Sequence, residues 1–222
     1  MSLVVYQLVH SPYCIPITRA LDALSVSFET REVPNHDRSE IITLTHGACY
    51  QVPLLVHNAT PIYETSGDSL EIARYVDRIF AQGRLFPEKY EGLQSILVPH
   101  IEGEIEGTTF KLVDPSYVRE IEDLVARTMT LRHKERKFGL GCVKKWAAER
   151  PQLLADAERL LAPYDLMLGQ NPFLLTDQPV YADFALFGVL GNLTYQNYNT
   201  IPEPLDALTK WFQRMKTFEF AA

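Results

Sequence analysis

The sequence predicts an α/β domain of about eighty residues followed by an all-helical domain. Three observations predict it. A strand, a helix and a second strand follow one another within the first 33 residues, a span that fits a βαβ unit with parallel strands. Two short strands then meet across a turn and lead into another helix. Beyond residue 80 the apolar residues recur at helical spacing, with no internal repeat and no low-complexity segment.

Each element has its own signal. Residues 3–9, rich in Val and Tyr, read as a buried strand. In residues 14–24, Ile17, Ala20, Leu21 and Leu24 fall at helical spacing. Pro16 has no N–H and sits most easily among the first helical positions, so this helix starts at about Tyr13 or Cys14. Residues 28–33 (FETREV) alternate as a half-buried strand does. Residues 37–45 form a helix with Ile41, Ile42 and Leu44 on its buried side. A strand opening with proline covers 52–56, a turn 57–61 and a partner strand 62–64. Residues 68–80 are helical, with Leu70, Ile72, Ala73, Val76 and Ile79 apolar.

Residues 82–92 (QGRLFPEKYEG) are turn-rich and read as a linker, which divides the chain into domains 1–82 and 92–222. The second domain carries one apolar stripe at Leu93, Ile96, Leu97 and Ile101, kinked at Pro99. A second stripe follows at Ile121, Leu124, Val125 and Thr128. A third runs through Leu153, Leu154, Ala157, Leu160, Leu161 and Tyr164. Residues 181–193 are apolar nearly all round, the mark of a buried central helix, and 205–215 form the last helix.

With 222 residues and 46% apolar content the chain can bury a full core. Its net charge of −7 argues against broad nucleic-acid binding. No apolar run approaches the roughly 20 residues that span a bilayer, and the opening MSLVVYQLVH has neither the basic start nor the cleavage site of a secretion signal. Cys14, Cys49 and Cys142 are odd in number and scattered, which suits a reducing cytoplasm better than a disulfide framework or a zinc knuckle.

Three short marks carry chemistry. His10 to Pro16 (HSPYCIP) nearly spells the dithiol motif C-P-Y-C, with serine in place of the first cysteine. Gln51-Val52-Pro53 opens the third strand. Asp68-Ser69 stands seven and six residues before Tyr75. In this order and spacing, over nearly the whole chain, they resemble the thioredoxin fold of a cytosolic glutathione transferase, in its serine-type form. The resemblance implies a βαβαββα domain that binds glutathione and a helical bundle that holds a small electrophilic co-substrate. It also implies a homodimer.

The resemblance makes Pro53 a cis proline that leaves the backbone of Val52 facing the ligand, like an added strand for the cysteinyl part of glutathione. Pro53 could also simply begin a strand. Gln51 could reach the glycyl carboxylate. Asp68 and Ser69, at a helix N-terminus, would take the γ-glutamyl end, or would only cap that helix. The family usually has Glu or Gln where Asp68 stands, and Glu64-Thr65 is a rival pair. Ser11 would be catalytic, donating a hydrogen bond that holds the glutathione sulfur as thiolate, or would cap the first helix. Tyr13 and Cys14, in the same motif, would stand beside the tripeptide. Cys14 reads mainly as a small buried hydrophobe, with a monothiol redox role as the alternative.

Asp183 lacks the Ser or Thr partner of the family's capping box, since Val180 stands there, but it can still accept from the N–H of residue 180. The basic run Arg132 to Lys137, ahead of Gly139 and Gly141, reads as a helix C-terminus or as an anion site. Tyr6, Tyr117, Tyr195 and Tyr198 are available to a substrate pocket, and none is assigned to it. The expectation is therefore an enzyme joining glutathione to an electrophile. The competing classes are a non-catalytic binding module of the same fold and an oxidoreductase working through Cys14.

Overall fold

The computed structural model describes residues 2–65 and 70–221. Strand β1 (Leu3–Gln7) and strand β2 (Glu29–Glu32) pair in parallel across helix α1 (Cys14–Ala23). Helix α2 (Ser39–Leu44) leads to β3 (Leu54–His57) and β4 (Thr60–Ile62), and the sheet order is β2-β1-β3-β4. β1 meets β3 antiparallel, and so does β3 with β4. The β3–β4 turn is tight because Asn58 and Ala59 both adopt positive φ, the geometry that suits a two-residue hairpin. Pro61 pairs on the edge strand, where a missing N–H costs least. Helix α3 (Glu71–Val76) continues into a π-helical turn, Asp77–Ala81.

The helical domain comprises α4 (Glu91–His100), a π-helical turn at Ile101–Ile105 directly after Pro99, α5 (Glu106–Glu120), α6 (Leu124–Phe138), α7 (Cys142–Ala148), α8 (Arg150–Gln170), α9 (Tyr181–Leu193) and α10 (Asp206–Thr217). Residues Tyr181 to Leu190 of α9 are all buried, and this helix packs on α1, α4, α5 and α10. It joins the two domains through one core. Among the described residues no helix is long and apolar enough to cross a membrane.

Several expectations change. Helix α1 begins at Cys14, where Pro16 placed it, and the Val52–Pro53 bond is cis. β2 is wholly exposed rather than half-buried, because it is an edge strand whose flanking Val33 does the burying. In α2 only Ile41 is fully buried and Leu44 packs beside it on the core, whereas Ile42 points outward because the helix has fewer than two turns. The stripes at Leu93 and Ile96 and at Leu124 and Val125 face solvent. Helices α5 and α7 have no counterpart in the sequence reading. α5 holds Pro115 in its interior and buries the polar Thr109 and Asp114 among its apolar residues, which hides its periodicity. Asp68 and Ser69 lie outside the described residues.

Candidate functional site

The loop between β1 and α1 is held from both sides. Ser11 is 7% exposed. Its carbonyl accepts from the N–H groups of Cys14 and Ile15, both at 3.1 Å. Its hydroxyl oxygen accepts from the N–H of Tyr13 at 3.2 Å and of Cys14 at 3.3 Å. Ser11 thus organises the start of α1 while standing one turn ahead of it, and it also lines a cavity. From the other side, the Asn192 side chain donates to the His10 carbonyl at 2.7 Å. Gly188 of α9 lets Pro12 and Pro16 approach: a β-carbon there would lie 2.4 Å from the Pro12 oxygen and 2.5 Å from the Pro16 ring.

Two cavities meet at Gln51 and Val52. The first, about 490 Å³, has Pro53, Glu64 and Thr65 on the α/β side and Tyr13 and Ile17 from α1. Glu102, Lys137 and Tyr181 close it from the helical domain. The π-helical turn after Pro99 carries Glu102 into this wall. The Glu64 carboxylate also accepts from the free N–H groups of Glu71 and Ile72 at 2.9 and 3.2 Å, and Thr65 donates to Glu71 at 3.1 Å. Glu64 and Thr65 thus line the first cavity, whereas the rival pair Asp68-Ser69 lies outside the described residues.

The second cavity, about 380 Å³, has Ser11 beside Leu8 and Tyr50. Its polar walls are basic: His36 and Arg38 from the segment before α2, and His133, Arg136 and Lys137 from the end of α6. Among the described residues no carboxylate lines it. The Arg38 Nη2 donates to Asn35 at 3.2 Å, whereas its Nη1 is buried with no acceptor. A buried guanidinium nitrogen without a partner is costly and marks a place for an anionic oxygen.

The charges follow from this partition. Burial, then the carboxylates of Glu64 and Glu106, push Glu102 up to about 8. Burial pushes Glu106 up to about 7 against the pull of Lys134 and Lys137. Tyr13, whose O–H reaches the Glu102 carbonyl at 3.4 Å, is raised by burial and then by Glu106 and Glu102, so it remains a neutral phenol. His133 is lowered by burial and by the cations Lys134, Arg136, Lys137 and Arg38. Burial lifts the Cys14 thiol to about 11, more than the Ser11 hydroxyl lowers it, and Cys14 lines neither cavity.

Of the residues expected from sequence, Ser11, Tyr13, Gln51, Val52 and Pro53 come together here. Tyr6, Tyr117, Tyr195 and Tyr198 line neither cavity. Tyr117 and Tyr195 instead pack against His10 with their rings tilted to it, ring centres 4.2 and 5.3 Å away. Glu102, Tyr181 and Arg38 gave no local signal. Asp183 is structural, as expected. Its carboxylate accepts from the N–H groups of Val180 and Leu174 and from the Trp211 indole at 3.1, 3.0 and 3.1 Å.

Residues 5–84 match the family model of the glutathione S-transferase N-terminal domain, and residues 147–214 that of the glutathione S-transferase C-terminal domain. Among solved structures, a glutathione S-transferase of Ceriporiopsis subvermispora in complex with glutathione superposes with a TM-score of 0.82 at 15% identity, covering 100% of this chain and 99% of the other. A glutathione transferase from Phanerochaete chrysosporium gives 0.80 at 16%, over 100% and 99%. One from Rhodospirillum rubrum gives 0.73 at 18%, over 97% and 88%. A comparison with curated protein sequences finds no match.

Proposed function

The chain belongs to the glutathione S-transferase family, and on that premise we propose that it binds glutathione across the two cavities, activates its thiol through Ser11 and transfers it to a small electrophile. One observation carries this reading: the first cavity presents carboxyl groups, the second basic side chains and no carboxylate among the described residues, and the two share the Gln51–Val52 wall. Glutathione has the matching asymmetry. Its γ-glutamyl end, with an ammonium as well as a carboxylate, suits the carboxyl and hydroxyl groups of Glu64, Thr65 and Glu102 in the first cavity. Its glycyl carboxylate suits the unpartnered nitrogen of Arg38, with Gln51 in reach. The cysteinyl unit then lies along Val52, and the sulfur comes to the Ser11 side.

Within this reading Ser11 donates its hydroxyl hydrogen to the sulfur and stabilises the thiolate. The basic second cavity adds a field of the same effect. The thiol proton leaves to solvent, the thiolate attacks the electrophilic carbon, and the carbon–sulfur bond forms as the bond to the leaving group breaks and that group departs with its electron pair, so no general base is required. Cys14, neutral and enclosed, serves packing. A homodimer is the assembly the family suggests, and the exposed Ile79, Leu93 and Ile96 beside the Arg74–Glu91 ion pair of α3 and α4 offer it an apolar surface.

The test is retention on immobilised glutathione followed by turnover of 1-chloro-2,4-dinitrobenzene. Ser11→Ala keeps retention and loses turnover about 100-fold, the order expected when one donor to a developing charge is removed. A wild-type protein with neither retention nor turnover sinks the reading and leaves the non-catalytic module in its place.

A further inference from the structure

The basic run at the end of α6 divides into two faces. Arg132 pairs with Glu135, and Lys134 pairs with the buried Asp114 at 2.6 Å. Glu135 is also tied to the N–H of Gly141, which shapes the helix end. These residues serve the fold. His133, Arg136 and Lys137 are spaced i, i+3, i+4, and Met129 stands four residues before His133, so the four share one stripe of the helix. All four line the cavity that holds Ser11. Among the described residues, neither Arg136 nor Lys137 has a carboxylate within 4 Å.

This is more positive charge than glutathione uses. Its glycyl carboxylate is a single charge, taken by Arg38 in the reading above. Arg136 and Lys137 remain in a chain whose net charge is −7. A local reversal of sign at the mouth of a cavity concentrates anions there. Met129, Tyr50 and Leu8 supply apolar walls beside the cations. An apolar body with an acidic group is the ligand that such a lining fits.

We propose that the electrophilic co-substrate is an organic anion, an apolar carboxylate or sulfonate, held by Arg136 and Lys137 on the cavity face of α6. The inference rests on the glutathione reading of the same cavities. The anion docks with its acidic group on α6 and its electrophilic carbon toward the sulfur at Ser11. In an aromatic substitution the thiolate forms the carbon–sulfur bond and the ring takes up the negative charge. The leaving halide then departs with its bonding pair. The same two cations stabilise the charge on the ring, so they favour the transition state as well as the bound substrate.

The experiment compares 4-chloro-3,5-dinitrobenzoate with its neutral relative 4-chloro-3,5-dinitrobenzamide, each kcat/KM divided by the uncatalysed rate with glutathione. The wild type prefers the benzoate about five- to tenfold at low ionic strength, the magnitude expected of two partly exposed ion pairs. The preference shrinks as salt is raised to about 0.15 M. The Arg136→Gln/Lys137→Gln variant brings the ratio close to one, whereas Arg132→Gln, on the other face, leaves it unchanged. A wild-type ratio near one, or a preference that survives the double substitution, overturns the inference while glutathione binding by calorimetry stands. Absence of glutathione binding in the same calorimeter overturns the parent reading as well.

Discussion

Gly188 of α9 touches Pro16 of α1 so closely that a β-carbon would sit 2.5 Å from the proline ring. The loop that carries Ser11 is therefore positioned by a helix more than 170 residues away in the chain. Gly188→Ala must push the two helices apart, since the Pro12 backbone oxygen on the same side cannot rotate away. Overpacking of this kind costs about 2 kcal/mol, a fall in Tm of about 4–8 °C. Turnover falls with it, because Ser11 moves. Thermal melting decides; an unchanged Tm would mean that α1 and α9 do not meet this closely.

Asp183 accepts three hydrogen bonds in full burial, and burial outweighs them, holding its carboxyl up at about 7. The folded value lies above the unfolded one of about 3.9. Its contribution is thus fully present below about pH 4 and is lost as pH rises through about 7. Asp183→Asn removes this pH dependence and turns an amide N–H toward a backbone or indole N–H, at a cost of about 2 kcal/mol. Denaturant midpoints measured from pH 4 to pH 8 test both. A variant with the wild-type pH slope would assign the titration to another group.

The two candidate pairs for the γ-glutamyl end separate by mutation. Glu64→Ala frees the N–H groups of Glu71 and Ile72. It lowers stability by about 1 kcal/mol, as the loss of a helix cap does, and abolishes retention on immobilised glutathione. Ser69→Ala leaves retention in place. The reverse pattern would return this end of the ligand to Asp68-Ser69.

All three cysteines are free and buried. With its thiol held up at about 11, Cys14 is not alkylated by iodoacetamide at pH 8 in the folded protein and reacts once guanidinium unfolds it. Cys14→Ala keeps transferase turnover and costs about 1 kcal/mol of packing. Rapid labelling of the native protein at Cys14 would restore the redox alternative.

Local chemistry made the α/β domain readable. Pro16 excludes all but the first helical positions, Pro53 marks the entry to β3, and strand alternation and helical spacing need only a few neighbours. The same locality explains the failures. Leu93, Ile96, Leu124 and Val125 keep helical spacing and yet face solvent, because spacing shows that a face exists and not what covers it. Glu64 and Thr65 line the cavity wall although nothing local in the sequence marks them for it, because only packing decides which side chains share a space.

By itself the sequence determined the class of fold, the motif around Ser11 and the Val52–Pro53 junction, since these depend on the conformational preferences of a few adjacent residues. The tertiary structure alone decided that Glu102, Tyr181 and the α6 cations line the two cavities beside Gln51 and Val52. Those residues lie 50 to 130 positions from Val52 in the chain and reach it only when the helical domain packs its buried α9 against α1. Charge acts through space, so the sign of each cavity could be read only once the chain had closed around it.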